Sequence, residues 1–208
     1  AELRARRADG SGVAQTLFSS TKLFGSRHYA GDVVVTADTM QFLLRTTAPP
    51  SRDIVGWRRG DSTVTRLVAN PGIDEVSPTV SPDGHWLAYA SSESGQMEVF
   101  VRPYPNVDST RWQVSHSGGT EPTWAHSGRE LFFRDRAGAF VAASVTTGRT
   151  FALGAQKTLF SASRFLSGPF AMGILSACFP CTVQPSQSPV PARFRMSGRS
   201  VFNTAISE

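Results

Sequence analysis

A chain of 208 residues with 40% hydrophobic content and 18% charged residues is long enough to bury a sizeable core and too apolar to be disordered throughout. Its formal charge is +5, but the basic residues are scattered singly, with small clusters only at Arg4, Arg6 and Arg7 and at Arg58 and Arg59, so the concentrated cationic face that nucleic acid demands is not expected. No run of about 18 apolar residues is present to span a membrane, and residues 1–7 lack both an initiator methionine and the apolar centre of a signal peptide, as expected of a piece of a longer chain.

Residues 3–8 read as a short strand that turns at Asp9-Gly10-Ser11-Gly12 into a second at 15–18, the back half of a repeating unit. The pattern restarts with strands at 33–36, 41–45, 53–58 and 64–68, separated by Ala37-Asp38-Thr39, by Pro49-Pro50 and by Arg59-Gly60-Asp61-Ser62. The next unit opens at Thr79-Val80, reverses at Pro82-Asp83-Gly84, and continues with strands at 86–90, 98–102 and 111–114. That reversal has a mechanism: Pro82 presets φ, Asp83 bonds its own backbone, and Gly84 takes a positive φ. Residues 86–90 are almost all apolar, the pattern of a strand covered on both faces. A further unit carries strands at 121–124, 130–134, 140–145 and 157–160, with turns at His126-Ser127-Gly128 and at 135–138.

These units superimpose. Pro78 and Pro122, Thr79 and Thr123, Gly84 and Gly128, and Leu87 and Leu131 are each 44 residues apart, as are Leu43 and Leu87, Val55 and Val99, and Arg58 and Arg102. Four strands in roughly 40 to 45 residues is the period of a β-propeller blade. The expected fold class is therefore all-β, a partial β-propeller of about three and a half four-stranded antiparallel blades. The units fall near 1–20, 32–69, 76–115 and 120–163, and an irregular Pro- and Ser-rich tail follows over 164–208. Trp57, Trp86, Trp112 and Trp124 all fall in these strands, where large apolar side chains fill the wedge between blades.

Ser77-Pro78-Thr79-Val80-Ser81-Pro82-Asp83-Gly84 with Leu87-Ala88-Tyr89, and residues 98–105 after it, resemble the WD40-like repeat of TolB-type propellers. Residues 111–115, Gly118-Gly119, Pro122-Thr123-Trp124 and 128–134 resemble the propeller that follows the kinase domain in many bacterial serine/threonine protein kinases. The resemblance covers about residues 1–163, and in the first unit Ala37-Asp38-Thr39 replaces the usual turn. It implies a sensing or protein-interaction region, periplasmic or otherwise extracytoplasmic, whose partner is a protein or small ligand and whose remaining blades lie elsewhere. Without the kinase link, the alternatives are a TolB-like periplasmic interaction protein or the non-catalytic propeller of a prolyl-oligopeptidase-type serine peptidase.

Catalytic chemistry is not expected. The chain has no Gly-rich phosphate loop, no His-Arg-Asp, no Asp-Phe-Gly and no Gly-x-Ser-x-Gly elbow. His85 and His126 fall in or beside turns, Asp135 is a turn residue, and Asp74-Glu75 read as a solvated approach to a strand rather than a calcium loop. Cys178 and Cys181 form one Cys-x-x-Cys pair with none of His28, His85, His116 or His126 near it in sequence, so incidental thiols or a loose disulfide are expected in place of zinc. No catalytic, cofactor or metal residue is therefore assigned. Residues 164–207 hold no Asp or Glu, and Pro180, Pro185, Pro189 and Pro191 break any long element, so the tail is expected to be disordered, out of frame or otherwise foreign to the repeat, a divergent cap being the other reading.

Overall fold

The computed structural model describes residues 2–5, 11–19, 21, 30–36, 41–46 and 51–161. The tail after 161, with Cys178 and Cys181, and the turn at 37–39 and His28 lie outside the described residues.

Within each sheet a strand pairs antiparallel with the next in sequence, because the short links leave no length for a crossover. β1 (Glu2–Ala5) pairs with β2 (Gln15–Ser19) as a two-stranded sheet. Three four-stranded sheets follow. The first runs in order through β3 (Ala30–Val35), β4 (Gln41–Thr46), β5 (Ile54–Arg58) and β6 (Thr65–Val68). The second holds β7 (Glu75–Val80), β8 (Trp86–Ser91), β9 (Glu98–Pro103) and β10 (Trp112–Gln113). The third holds β11 (Thr120–Trp124), β12 (Glu130–Arg134), β13 (Ala139–Thr146) and β14 (Ala152–Ser161). This is the all-β, partial-propeller architecture that the 44-residue offsets predict.

The core sits between sheets. Every residue of β8 is buried, as its unbroken apolar run predicts. One face of β8 places Leu87 and Tyr89 with Leu43, Ile54, Val68 and Phe100 against the preceding sheet. The other places Trp86 and Ala88 with Val99, Val101, Trp124, Leu131 and Phe133 against the following one. Trp86, Trp112 and Phe151 fill that second seam, with Trp86 and Trp112 edge-on at 5.6 Å. Trp57 packs instead with Phe42, Leu44 and Val55, a cluster that Leu17 of β2 touches. All four tryptophans thus serve as wedge between sheets or within them.

Two turns show how one architecture tolerates different residues. At 81–86, Gly84 at φ 75° donates its N–H to the Ser81 carbonyl (2.9 Å), and Asp83 accepts the N–H of His85 (3.1 Å). Forty-four residues on, Gly128 at φ 69° donates likewise to Ala125 (2.9 Å), while Ser127 takes over the acceptor role toward Arg129 N–H (3.3 Å). The glycine persists because only it enters the left-handed region without strain.

Strand starts differ most from the sequence reading at β14 and β7. β14 begins at Ala152, ahead of the expected 157, because its register with β13 continues through Val145↔Leu153 past an irregularity. β7 begins at Glu75, and here an expectation is overturned: Asp74-Glu75 is not a solvated approach. Glu75 is fully buried, its backbone N–H bonded to the Arg52 carbonyl at 2.7 Å.

Candidate functional site: the rim of the inner strands

β3, β7 and β11 are the first strands of successive sheets, and β7 lies against both of the others. Each is broken by a bulge, between Ala30 and Val33, between Val76 and Thr79, and between Thr120 and Thr123. A bulge re-aims side chains off the pleat, and these three put polar groups at one place. Asp32 of the first bulge accepts the N–H of Ser77 in the second through Oδ2 (3.0 Å), which joins neighbouring sheets directly. The same carboxylate takes the Arg45 guanidinium at 2.9 Å. In the third bulge Glu121 accepts from Arg134 at 2.8 Å.

Electrostatics tie the rim together. Burial pushes the Glu121 carboxyl above its ordinary range; Arg134 opposes the shift and the Asp32 carboxylate adds to it. Each carboxylate is therefore balanced by its own arginine. Beside it, Asp74 accepts Arg52 at 2.7 Å, and this bond holds Asp74 below the usual carboxylate range and raises Arg52.

Next to Arg134 an open cleft of about 650 Å³ runs between the loop after β8 (Gly95, Met97), the connector into β11 (Gly118, Gly119) and the turn after β12 (Asp135, Arg136). Its walls are close backbone. A Cβ on Gly118, at φ 90°, would meet Arg136 Cβ at 2.7 Å, so the connector passes directly beneath the Arg136 stem. The exposed Arg136 stands beside this open cleft.

The residues weighed for catalysis are not brought together here. His85 lies in its turn with its side chain 73% exposed and Nδ1 3.8 Å from Asp83 Oδ2. Ser81 bonds Asp83 and accepts the Trp86 N–H, so its hydroxyl is engaged in the turn rather than directed to His85. His126 is an exposed turn residue, and Asp135 accepts the Ala139 N–H at 2.8 Å as turn residues do. Among the described residues no group of three His, Cys, Asp or Glu side chains is placed to hold a metal ion, and no helix is long and apolar enough to cross a membrane. Asp32, Arg45, Glu121 and Arg134 were not singled out in the sequence. The one signal for them was the pair of X-Pro steps, Ser77-Pro78 and Glu121-Pro122, at the repeat offset.

No protein-family model matches the chain, and no curated protein is similar to it in sequence. Solved structures are similar in fold. They include TolB from Acinetobacter baumannii (TM-score 0.51, 13% identity, covering 72% of this chain and 35% of that one). A protein from Agrobacterium tumefaciens assigned as TolB gives TM-score 0.52 and 21% identity over 73% of this chain and 53% of that one. A puromycin-hydrolyzing peptidase of Mycobacterium tuberculosis gives TM-score 0.52 and 16% identity over 73% of this chain and 27% of that one. The chain thus spans about half or less of these structures, and at such identities they show the fold alone, a β-propeller.

Proposed function

We propose that this chain is a non-catalytic binding module, and that a protein or small ligand engages it at the rim of the inner strands and the adjoining cleft. The observation that carries this is the placement of Asp32, Ser77 and Glu121, each in a bulge of a different sheet, at a common edge beside an open, arginine-flanked cleft. Bulges that gather charged groups, with no nucleophile relay beside them, fit recognition better than turnover.

The finer reading is the sensor region of a bacterial serine/threonine kinase, extracytoplasmic in that case. It rests on the resemblance of residues 111–115, 122–124 and 128–134 to kinase-linked propellers. The propeller of a serine peptidase is the second reading, favoured by the fold similarity to the puromycin-hydrolyzing peptidase. A parent gene encoding an upstream kinase domain and membrane span supports the first, and a downstream α/β-hydrolase domain supports the second.

The binding role is tested by titrating hexaglutamate and hexalysine peptides into the isotopically labelled chain. Shifts at the amides of Gly95, Gly118 and Gly138 that weaken in Arg136→Glu are expected for the anionic peptide. Shifts unaltered in Arg136→Glu, no shifts with either peptide, or turnover of peptide p-nitroanilides by the chain would each overturn the proposal.

A further inference from the structure

Glu75 has no counterpart in the neighbouring repeats, where Gly31 and Gly119 occupy the 44-residue offsets. A buried carboxyl placed where glycine suffices calls for an explanation. It opens β7 immediately after the connector that leaves the preceding sheet, and its side chain holds that connector: Asn70 donates its Nδ2 to Oε1 at 2.7 Å. Asp53 at the entry to β5 and Glu93 in the turn after β8 both act on Glu75 as like charges. Glu93 is itself largely enclosed, and its Oε1 is buried with no hydrogen-bond partner among the described residues. The cations nearby are engaged, Arg52 by Asp74 at 2.7 Å and Arg111 by the other oxygen of Glu93 at 2.8 Å.

We infer that Glu75 is a proton-operated latch: protonated, it clamps the connector between the first and second four-stranded sheets, and ionised, it releases it. The Asn70 amide is a donor and by itself favours the ionised carboxylate, but burial outweighs it and favours the neutral carboxyl. An ionised one must sit fully buried beside Glu93 and Asp53 with its neighbouring cations already committed, which water-exposed connector geometry relieves. Burial pushes Glu75 up to about 7, so the switch falls near neutral pH. The folded chain then retains a proton that the unfolded chain has lost between the ordinary carboxyl range and neutrality, and stability falls as pH rises through that window.

Ser77 lies two residues further along β7 and bonds Asp32, so release of the start of β7 loosens the rim. That consequence for partner binding rests on the reading proposed above, whereas the latch itself is measured with no partner present. Urea unfolding of the full chain from pH 5 to pH 8, with amide protection followed at Asn70 and Ile73, tests it. The wild-type folding equilibrium is expected to fall by roughly a hundredfold across that range, with protection lost first at the connector. Glu75→Gln, which keeps an acceptor for Asn70, is expected to flatten the profile, and Glu93→Gln to move the fall to lower pH. A Glu75→Gln chain with the wild-type slope overturns the latch. If that variant does not fold, a Glu93→Gln profile superimposed on wild type overturns it equally.

Discussion

Ser77 and Glu121, 44 residues apart, share the same left-handed backbone at φ 52° and 55°. Each directly precedes a proline, Pro78 or Pro122. Proline disfavours right-handed helical geometry in the residue before it, so a chain that must bend here is driven to the left-handed region, which costs non-glycine residues about 1–3 kcal/mol. Ser77→Gly is therefore expected to raise the urea midpoint, and Ser77→Val to lower stability by about 1–2 kcal/mol, since β-branching is least tolerated there. Equal midpoints for the two variants would show that the bulge is unstrained.

Asp32 joins two sheets through one carboxylate, accepting Ser77 N–H at 3.0 Å and Arg45 at 2.9 Å. Asp32→Ala leaves both donors without this acceptor and is expected to destabilise by about 1–2 kcal/mol. Asp32→Asn keeps an oxygen for Ser77 and is expected to lose less, with a weaker response to added salt. Urea melts at low and high salt separate the two. An alanine variant as stable as the asparagine one would mean that the Ser77 bond contributes nothing.

Gly119 and Gly84 separate crowding from conformation. A Cβ at Gly119 would lie 2.2 Å from Ser115 Oγ and 3.0 Å from Val99 Cγ2, with Ser115 itself bonded to buried Glu98. A Cβ at Gly84 would meet nothing within 4 Å, leaving only its φ of 75° as an obstacle. Gly119→Ala is expected to cost about 2–3 kcal/mol through overpacking, and Gly84→Ala about 1 kcal/mol through backbone strain alone. Calorimetric melts giving the reverse order would contradict this account of the connector.

The repeat was legible because propeller sheets are local. Each strand pairs with its sequence neighbour, so turn residues such as Gly84 and Gly128 and the apolar run at 86–90 suffice to mark the units. The rim was not legible, because Asp32, Ser77 and Glu121 come from three different sheets and meet only when those sheets pack. Glu75 was misread for a related reason. Beside Asp74 it looks like one of two surface acids, yet Asp74 faces Arg52 while Glu75 turns inward to Asn70. Alternation along a strand decides which neighbour is buried, and a strand start hidden behind a connector gives no periodicity to read.

The Arg52 and Asp74 pair predicts an acid limb opposite in sign to that of Glu75. Its hydrogen bond holds Asp74 below the usual range, so the stabilisation is present above the ordinary carboxylate pKa and is lost as pH falls through the depressed value. Arg52→Ala is expected to remove that acid dependence below about pH 4 while leaving the neutral-pH slope assigned to Glu75. Both partners are more than a third exposed, so salt should weaken the limb. Stability measured from pH 2 to pH 5 checks it, and an acid limb unchanged in the variant would assign the effect to another carboxylate.

Among the described residues β14 is the longest strand, spans Ala152–Ser161, and pairs with β13 alone. An outer edge of ten residues is a template for pairing with another chain, and Leu159 and Phe160 present 46% and 56% of their surface on it. Phe160 is held by stacking on Phe140 at 5.0 Å, whereas Leu159 carries no ring to stack. Leu159→Lys is therefore expected to reduce aggregation and binding of a hydrophobic dye with a stability change within about 0.5 kcal/mol, because it adds charge to the edge without opening the stack. Phe160→Lys should destabilise as well, because it removes the stack that fixes the end of the strand to β13. Light scattering and dye fluorescence at matched concentrations distinguish the two. Dye binding unchanged in Leu159→Lys would place the sticky surface elsewhere, on a sheet face rather than on this edge.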